Sequence, residues 1–221
     1  MLHSPSTAVA NRRARPLPPD ARRAALIAAT LPLIRKYGLD VSTRQIAQAA
    51  GVAEGTIFRV FPDKDSLVQA AIDAVFDPAP VVAALEEIDR SLALEERLIE
   101  IVRIVQAWLA TVIDLMMALR GNWPPGKKPP AARARAPSTI IASVIARLIE
   151  PDRAQLRVSP AETARLLHLL LFSGSHPGIT NGKPLTPAEI VEVILDGVRV
   201  PPAARALAAR PARATPRGTP T

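Results

Sequence analysis

Cysteine is missing from the 221-residue sequence. This excludes disulfides, thiolate metal sites, iron–sulfur clusters and a thiol nucleophile, and it fits a reducing cytosol. Aromatic residues make up only 3%, so a core must rely on Ala, Leu, Ile and Val. Histidine is scarce too. His3, His168 and His176 share no ligand spacing on one helix, so neither a metal nor another cofactor is expected. No Gly-rich phosphate loop, Ser/His/Asp order or carboxylate constellation stands out, which argues against an enzyme. A signal peptide is not expected either. Pro5 and the Pro16–Pro19 stretch interrupt the N-terminus, and no apolar segment follows Arg12 and Arg13. The most apolar stretch, Leu98 to Leu119, contains Glu100, Arg103 and Asp114 and is not expected to span a membrane. The sequence reads as a soluble, cytoplasmic protein with no membrane partner.

What is present is ample apolar material. Hydrophobic residues form 48% of the chain, enough for one large domain or two small ones. The net charge is +8, but its location matters more than its size. Residues 1–19 carry +3, residues 200–221 carry +4, and the segment 121–137 carries +4. The remainder is therefore −3. Basicity sits in tails and a loop, so the net charge alone is a poor argument for a DNA-binding core.

Residues 1–19 and 200–221 are rich in Ala, Pro, Arg and Thr without apolar periodicity, and read as disordered tails. A first helix is expected over Ala21–Tyr37, with Asp20 as N-cap and Gly38 as stop. Ile27, Leu31 and Ile34 form its stripe, widened by Leu26 and Leu33; Pro32 should kink it. Short helices follow at about Thr43–Ala50 and Ala53–Phe61. A fourth runs from Lys64 to about Phe76, capped by Asp63. Pro78 and Pro80 then break the chain, which places one domain at 20–77 and a second at 78–199. In the second, helices are expected over Val81–Leu92, Leu94–Leu119, Ser138–Ile149, Pro160–Phe172 and Pro187–Val198, with Gly121–Pro137 as a loop. No strand is expected, so the fold class is all-α.

The informative stretch runs from Ser42 to Lys64, STRQIAQAAGVAEGTIFRVFPDK. Two short helices that cross steeply need a small residue at the contact, supplied by Ala47. Their turn needs a residue tolerant of positive φ, supplied by Gly51. Ile57 faces back onto the first helix, and Ile46, Ala50, Val52 and Phe61 complete one inward face. Ser42 and Gln45 form a capping box. This spacing predicts a helix-turn-helix. A plain helical hairpin in a bundle would satisfy it as well.

The longer string GLDVSTRQIAQAAGVAEGTIFRVFPDKDSLV closely resembles the N-terminal domain of the TetR (tetracycline-repressor-like) transcriptional regulators. It carries Gly38, Ile46-Ala47, Ala50-Gly51-Val52, Gly55-Thr56-Ile57-Phe58, Phe61, Lys64 and Leu67. The resemblance covers about Ala21–Phe76. It implies an N-terminal three-helix helix-turn-helix domain that binds a double-stranded DNA operator. It also implies a C-terminal helical domain for ligand binding and dimerisation, a homodimer, and a small-molecule effector.

The resemblance assigns roles residue by residue. Thr43, Thr56 and Lys64 match positions that touch the DNA backbone, and short hydroxyls and helix N-termini suit phosphate. Gly55 would let the recognition helix approach the groove closely. Arg44 and Arg59 match positions that reach bases in some relatives, and contact to phosphate is an equal alternative. Glu54 is read as a favourable charge at a helix start, with acceptance from cytosine N4 as the sharper alternative. Phe58 stands where Tyr is commoner, so a phenolic hydroxyl is missing. Ala53 stands where a capping Ser is common. Residues 20–77 carry seven basic and seven acidic side chains, so the Arg-bearing N-terminal tail is expected to supplement binding.

For the second domain, the resemblance implies pairing of the last two helices. Leu166, Leu167, Leu169, Leu170, Leu171 and Phe172 form a surface too broad for a one-sided helix; Ile190, Val193, Ile194 and Val198 form a stripe. His168 is expected at the same interface. Trp108, Asp114, Met116 and Met117 on the long helix are candidates for lining a ligand cavity, with plain core packing as the alternative. The leading expectation is a ligand-responsive repressor bound to a pseudo-palindromic operator. The alternative is a nonspecific, tail-driven nucleic-acid binder.

Overall fold

The structure, a computed structural model, describes residues 18–119 and 130–199, with the backbone alone over 130–137. The two expected tails, apart from Pro18 and Pro19, and residues 121–129 of the expected loop lie outside the described residues. The described residues form α1 (Pro19–Tyr37), α2 (Thr43–Ala50), α3 (Glu54–Ile57), α4 (Lys64–Phe76), α5 (Ala79–Glu86), α6 (Leu94–Ala118), α7 (Pro130–Ile149), α8 (Pro160–Ser175) and α9 (Pro187–Val198). Short 3-10 turns occupy Gly38–Asp40 and Glu150–Gln155. No strand occurs among the described residues, and the all-α expectation holds. The chain divides into two compact units, residues 1–72 and 73–221, and the division falls inside α4.

In the first unit, α1 starts two residues earlier than expected, and Asp20 is not its cap. Pro18 holds the cap position and Pro19 the first turn, where a missing N–H costs nothing. Asp20 instead places a negative charge in the first turn, complementing the helix dipole. The fully buried positions are Leu26, Thr30 and Ile34, with Ile27, Leu31 and Leu33 half-buried at their flanks. Thr30 can sit in that stripe because its hydroxyl donates to the Leu26 carbonyl at 2.7 Å. The helix continues through Pro32 and stops at Gly38, whose φ is +60°.

Three further helices, α3, α5 and α7, depart most from their expected bounds. The α3 helix is only Glu54–Ile57, not Ala53–Phe61. Beyond it the chain tightens: Arg59 N–H donates to Thr56 and Val60 N–H to Ile57. Two local features oppose extension: Pro62 disfavours helical φ/ψ at Phe61, and Ala53 offers no cap. The α5 helix takes Pro80 into its first turn and ends at Glu86 rather than Leu92. There Asp89 accepts from the Ser91 N–H at 2.8 Å and holds a turn instead. The α7 backbone is helical from Pro130, so 130–137 is not the loop expected. Its Ala/Arg run is a strong helix former, and proline suits a first helical position.

The core of the second unit gathers α5 to α9. Leu85, Leu98, Ile101, Ile141, Leu167 and Ile190 are among its fully buried members. Helix α6, 25 residues long, is apolar enough by composition to resemble a membrane span, but Leu98, Ile101 and Val105 face this core. The segment 64–86 is similarly apolar and breaks at Asp77 and Pro78. Capping is explicit: Ser159 accepts from the Glu162 N–H at the start of α8, and Thr186 and Glu189 form a capping box for α9.

Candidate nucleic-acid interface

The first unit assembles a helix-turn-helix from local chemistry. The Ser42–Gln45 capping box is formed, fixing the start of α2. Gly51 terminates α2 at φ +66° in the left-handed region, as the turn requires. Ile46, Ala47 and Ile57 are buried between the helices, with Val41, Phe61 and Leu67 behind them. Ala50 and Val52, expected on the inward face, are half-buried. At the head of α4, Asp63 accepts from the Ser66 N–H at 2.6 Å. The Ser66 backbone N–H and hydroxyl hold the Asp63 carboxyl below its ordinary value. The Arg23 guanidinium of α1 lies 4.3 Å from the centre of the Phe61 ring, so α1 and the end of the recognition segment are held together.

The predicted DNA-contacting residues fall on the outer side of this scaffold. Arg44, Glu54, Gly55, Phe58 and Arg59 are exposed; Thr43, Thr56 and Lys64 are half-buried. Phe58 is 52% exposed, a large apolar ring facing outward with no partner in the core. A Cβ built on Gly55 would meet nothing within 4 Å. The protein itself therefore does not require glycine there, which fits a constraint from an approaching partner. Lys64 is partly committed: its ammonium donates to the Leu39 carbonyl at 3.2 Å, leaving two of its three protons. The Thr43 hydroxyl donates to a Glu54 carboxylate oxygen, joining the first residues of α2 and α3. Sequence reasoning treated those two residues separately, and no local signal linked them.

In the second unit, α8 and α9 flank a shallow, open groove of about 370 Å³. It is lined by Leu166, Leu169, Leu170, Val193, Ile194 and Val198, together with Ser173 and Gly197, which the sequence did not single out. Leu169 is 51% and Val193 57% exposed. Ile190 is not part of this face; it is buried in the unit's own core with Leu167 and Leu171. His168 is partly buried, and desolvation lowers its pKa.

The four candidate ligand-pocket residues do not converge. Asp114 and Met117 lie on the exposed stripe of α6 with Arg103, Ala107 and Ala110. Trp108 and Met116 are half-buried. Trp108 packs against the core, and its indole N–H donates to the Val75 carbonyl. A second groove of about 300 Å³ lies between α5 and α6, lined in part by Glu87, Asp89, Glu100 and Arg103, and includes none of the four.

Residues 26–71 match the family model for bacterial regulatory proteins of the tetR family. A proposed TetR-family transcriptional regulator from Mesorhizobium loti superposes with a TM-score of 0.60 at 20% identity, covering 84% of this chain and 100% of that one. A TetR transcriptional regulator from Streptomyces coelicolor gives 0.53 at 23% identity, covering 80% and 98%. The flavonoid-responsive regulator FrrA gives 0.53 at 20%, covering 81% and 98%. At these identities the likeness is one of fold.

Proposed function

We propose that this chain, whose residues 26–71 match the family model for bacterial regulatory proteins of the tetR family, is a sequence-specific transcriptional regulator, a repressor that grips a pseudo-palindromic operator as a homodimer. The observation that carries this reading is the outer side of the helix-turn-helix. Arg44, Thr56, Phe58 and Arg59 are presented there around a glycine that leaves open space. Arg suits the O6 and N7 of guanine, and hydroxyls suit phosphate. Lys64 retains two protons for the backbone. Half-sites one helical turn apart call for a twofold protein. The exposed apolar groove of α8 and α9 supports that symmetry, since such a face is suited to a second copy.

Effector response belongs to the same proposal. A small molecule that binds one conformation of the second unit more tightly shifts the population away from the DNA-competent form. Trp108 and Met116, half-buried on α6, are the best-placed candidates to line its site; Asp114 and Met117 would join them only if that face is covered. The regulator FrrA, flavonoid-responsive by description, is a precedent for effector response on this fold. Such a protein would act in the cytoplasm.

The test is selection of genomic fragments on the purified protein at roughly 0.2 M salt, where phosphate-only binding is suppressed. A near-palindromic motif is the expected result. Recovery of fragments without a motif would overturn the sequence-specific reading in favour of binding by the basic tails.

A further inference from the structure

The Thr43 hydroxyl has one proton, and Glu54 holds it. A phosphate oxygen can only accept, so a phosphate at Thr43 needs that same proton. Glu54 and a phosphate are therefore exclusive partners of one hydroxyl. The conflict is also electrostatic. A carboxylate within hydrogen-bonding distance of Thr43 would stand close to any phosphate bound there, and like charges at such range repel. The two residues are the first of α2 and of α3, both on the outer side where the unit would meet DNA. The balance of charge around them is unusual for a DNA-binding surface, since residues 20–77 carry as many acidic as basic side chains.

We propose that Glu54 is a specificity-determining residue that suppresses binding to nonspecific DNA by withholding the Thr43 hydroxyl from phosphate. This rests on the DNA-binding reading above. On arbitrary sequence the carboxylate has nothing better to bind, keeps Thr43, and repels the backbone. Where a base edge offers the carboxylate an amino donor in the major groove, Glu54 changes partner and Thr43 is released to phosphate. The exchange lowers the background without adding a contact at the operator. Specificity then arises partly from a repulsive element.

The test uses the full chain and a random-sequence duplex of roughly 30 base pairs, titrated from about 50 to 200 mM salt. Glu54→Ala and Glu54→Gln should each bind this duplex about tenfold more tightly than the parent protein. The salt slope should change little, because it counts phosphates neutralised by Lys and Arg. A purely structural role for Glu54 would give the opposite sign, whereas loss of simple charge repulsion would also tighten binding, so the dependence on Thr43 is the diagnostic readout. Thr43→Val supplies the second readout. It should barely affect nonspecific binding in the parent, where the hydroxyl is already engaged, and should weaken binding several-fold in the Glu54→Ala background. Parental affinity in both Glu54 variants, or an additive Thr43 effect, overturns the proposal while leaving DNA binding intact. If neither the parent nor the variants retain any duplex at the lowest salt, the DNA-binding reading falls and takes this proposal with it.

Discussion

The indole N–H of Trp108, on α6, donates to the backbone carbonyl of Val75 at 3.1 Å. Val75 lies in the last turn of α4, where carbonyls have no partner further along the helix. Trp108 thus satisfies an orphan acceptor within the second unit, to which residues 73–76 belong. Trp108→Phe keeps an aromatic ring and removes the donor. A net hydrogen bond contributes about 1 kcal/mol, so the melting temperature should fall by roughly 2–4 °C. Calorimetry on the variant checks this. An unchanged transition would mean that water replaces the indole.

Arg97 is buried to 3% exposure and pairs with Asp152, itself only 14% exposed. Its guanidinium also donates to the Arg90 carbonyl at 3.2 Å, and Gln155 donates to the other Asp152 oxygen. The network holds α6 to the 3-10 turn after α7. Removing one partner leaves a buried charge without its counterpart, which costs about 3–5 kcal/mol. Asp152→Asn should therefore destabilise strongly in urea unfolding. The double change Arg97→Met, Asp152→Asn should cost clearly less than the sum of the singles, because no lone charge remains. Additive losses would show that the two side chains do not act as a pair.

His168 on α8 gives the second unit a pH dependence with a definite sign. Its pKa is lowered below the ordinary 6.5 by desolvation, so the folded protein favours the neutral ring. The unfolded chain binds the proton more readily. Stability from this group is full above the unfolded value and is lost as pH falls through 6.5 toward the lower native value. Unfolding midpoints measured between pH 7.5 and 5 should decline, and His168→Gln should flatten the decline. A decline of equal slope in the variant would assign it to other groups.

The helix-turn-helix was legible because its determinants are local. A capping box spans four residues, a glycine supplies positive φ, and two apolar side chains meet across one turn. The Thr43–Glu54 bond was not legible, since it depends on how α2 and α3 cross rather than on spacing. At α7, proline was read as a breaker, whereas Pro130 begins a helix. In α9, periodicity identified Ile190 and Val193 as one stripe. It could not say that Ile190 faces the unit's own core while Val193 faces outward, because both environments select the same apolar residue types.

That distinction supplies a direct test of the proposed twofold interface. Leu169 and Val193 are about half exposed, and covering the rest of each side chain is worth about 1 kcal/mol. In a twofold interface each residue acts twice. Val193→Glu would forfeit about 2 kcal/mol of apolar contact, and burying two carboxylates there adds a further penalty. Dimer dissociation should rise by at least roughly thirtyfold, read by sedimentation across a concentration series. The isolated fold should survive, since Val193 contributes to no buried core, and circular dichroism should confirm helical content. Glu192→Gln, at the neighbouring exposed position of α9, is the control expected to leave assembly unchanged. Ile190→Ala separates the roles from the other side: it should lower the unfolding midpoint by removing a fully buried side chain, at a cost of about 2–5 kcal/mol. A Val193→Glu protein that remains dimeric at the lowest concentrations would place the interface elsewhere.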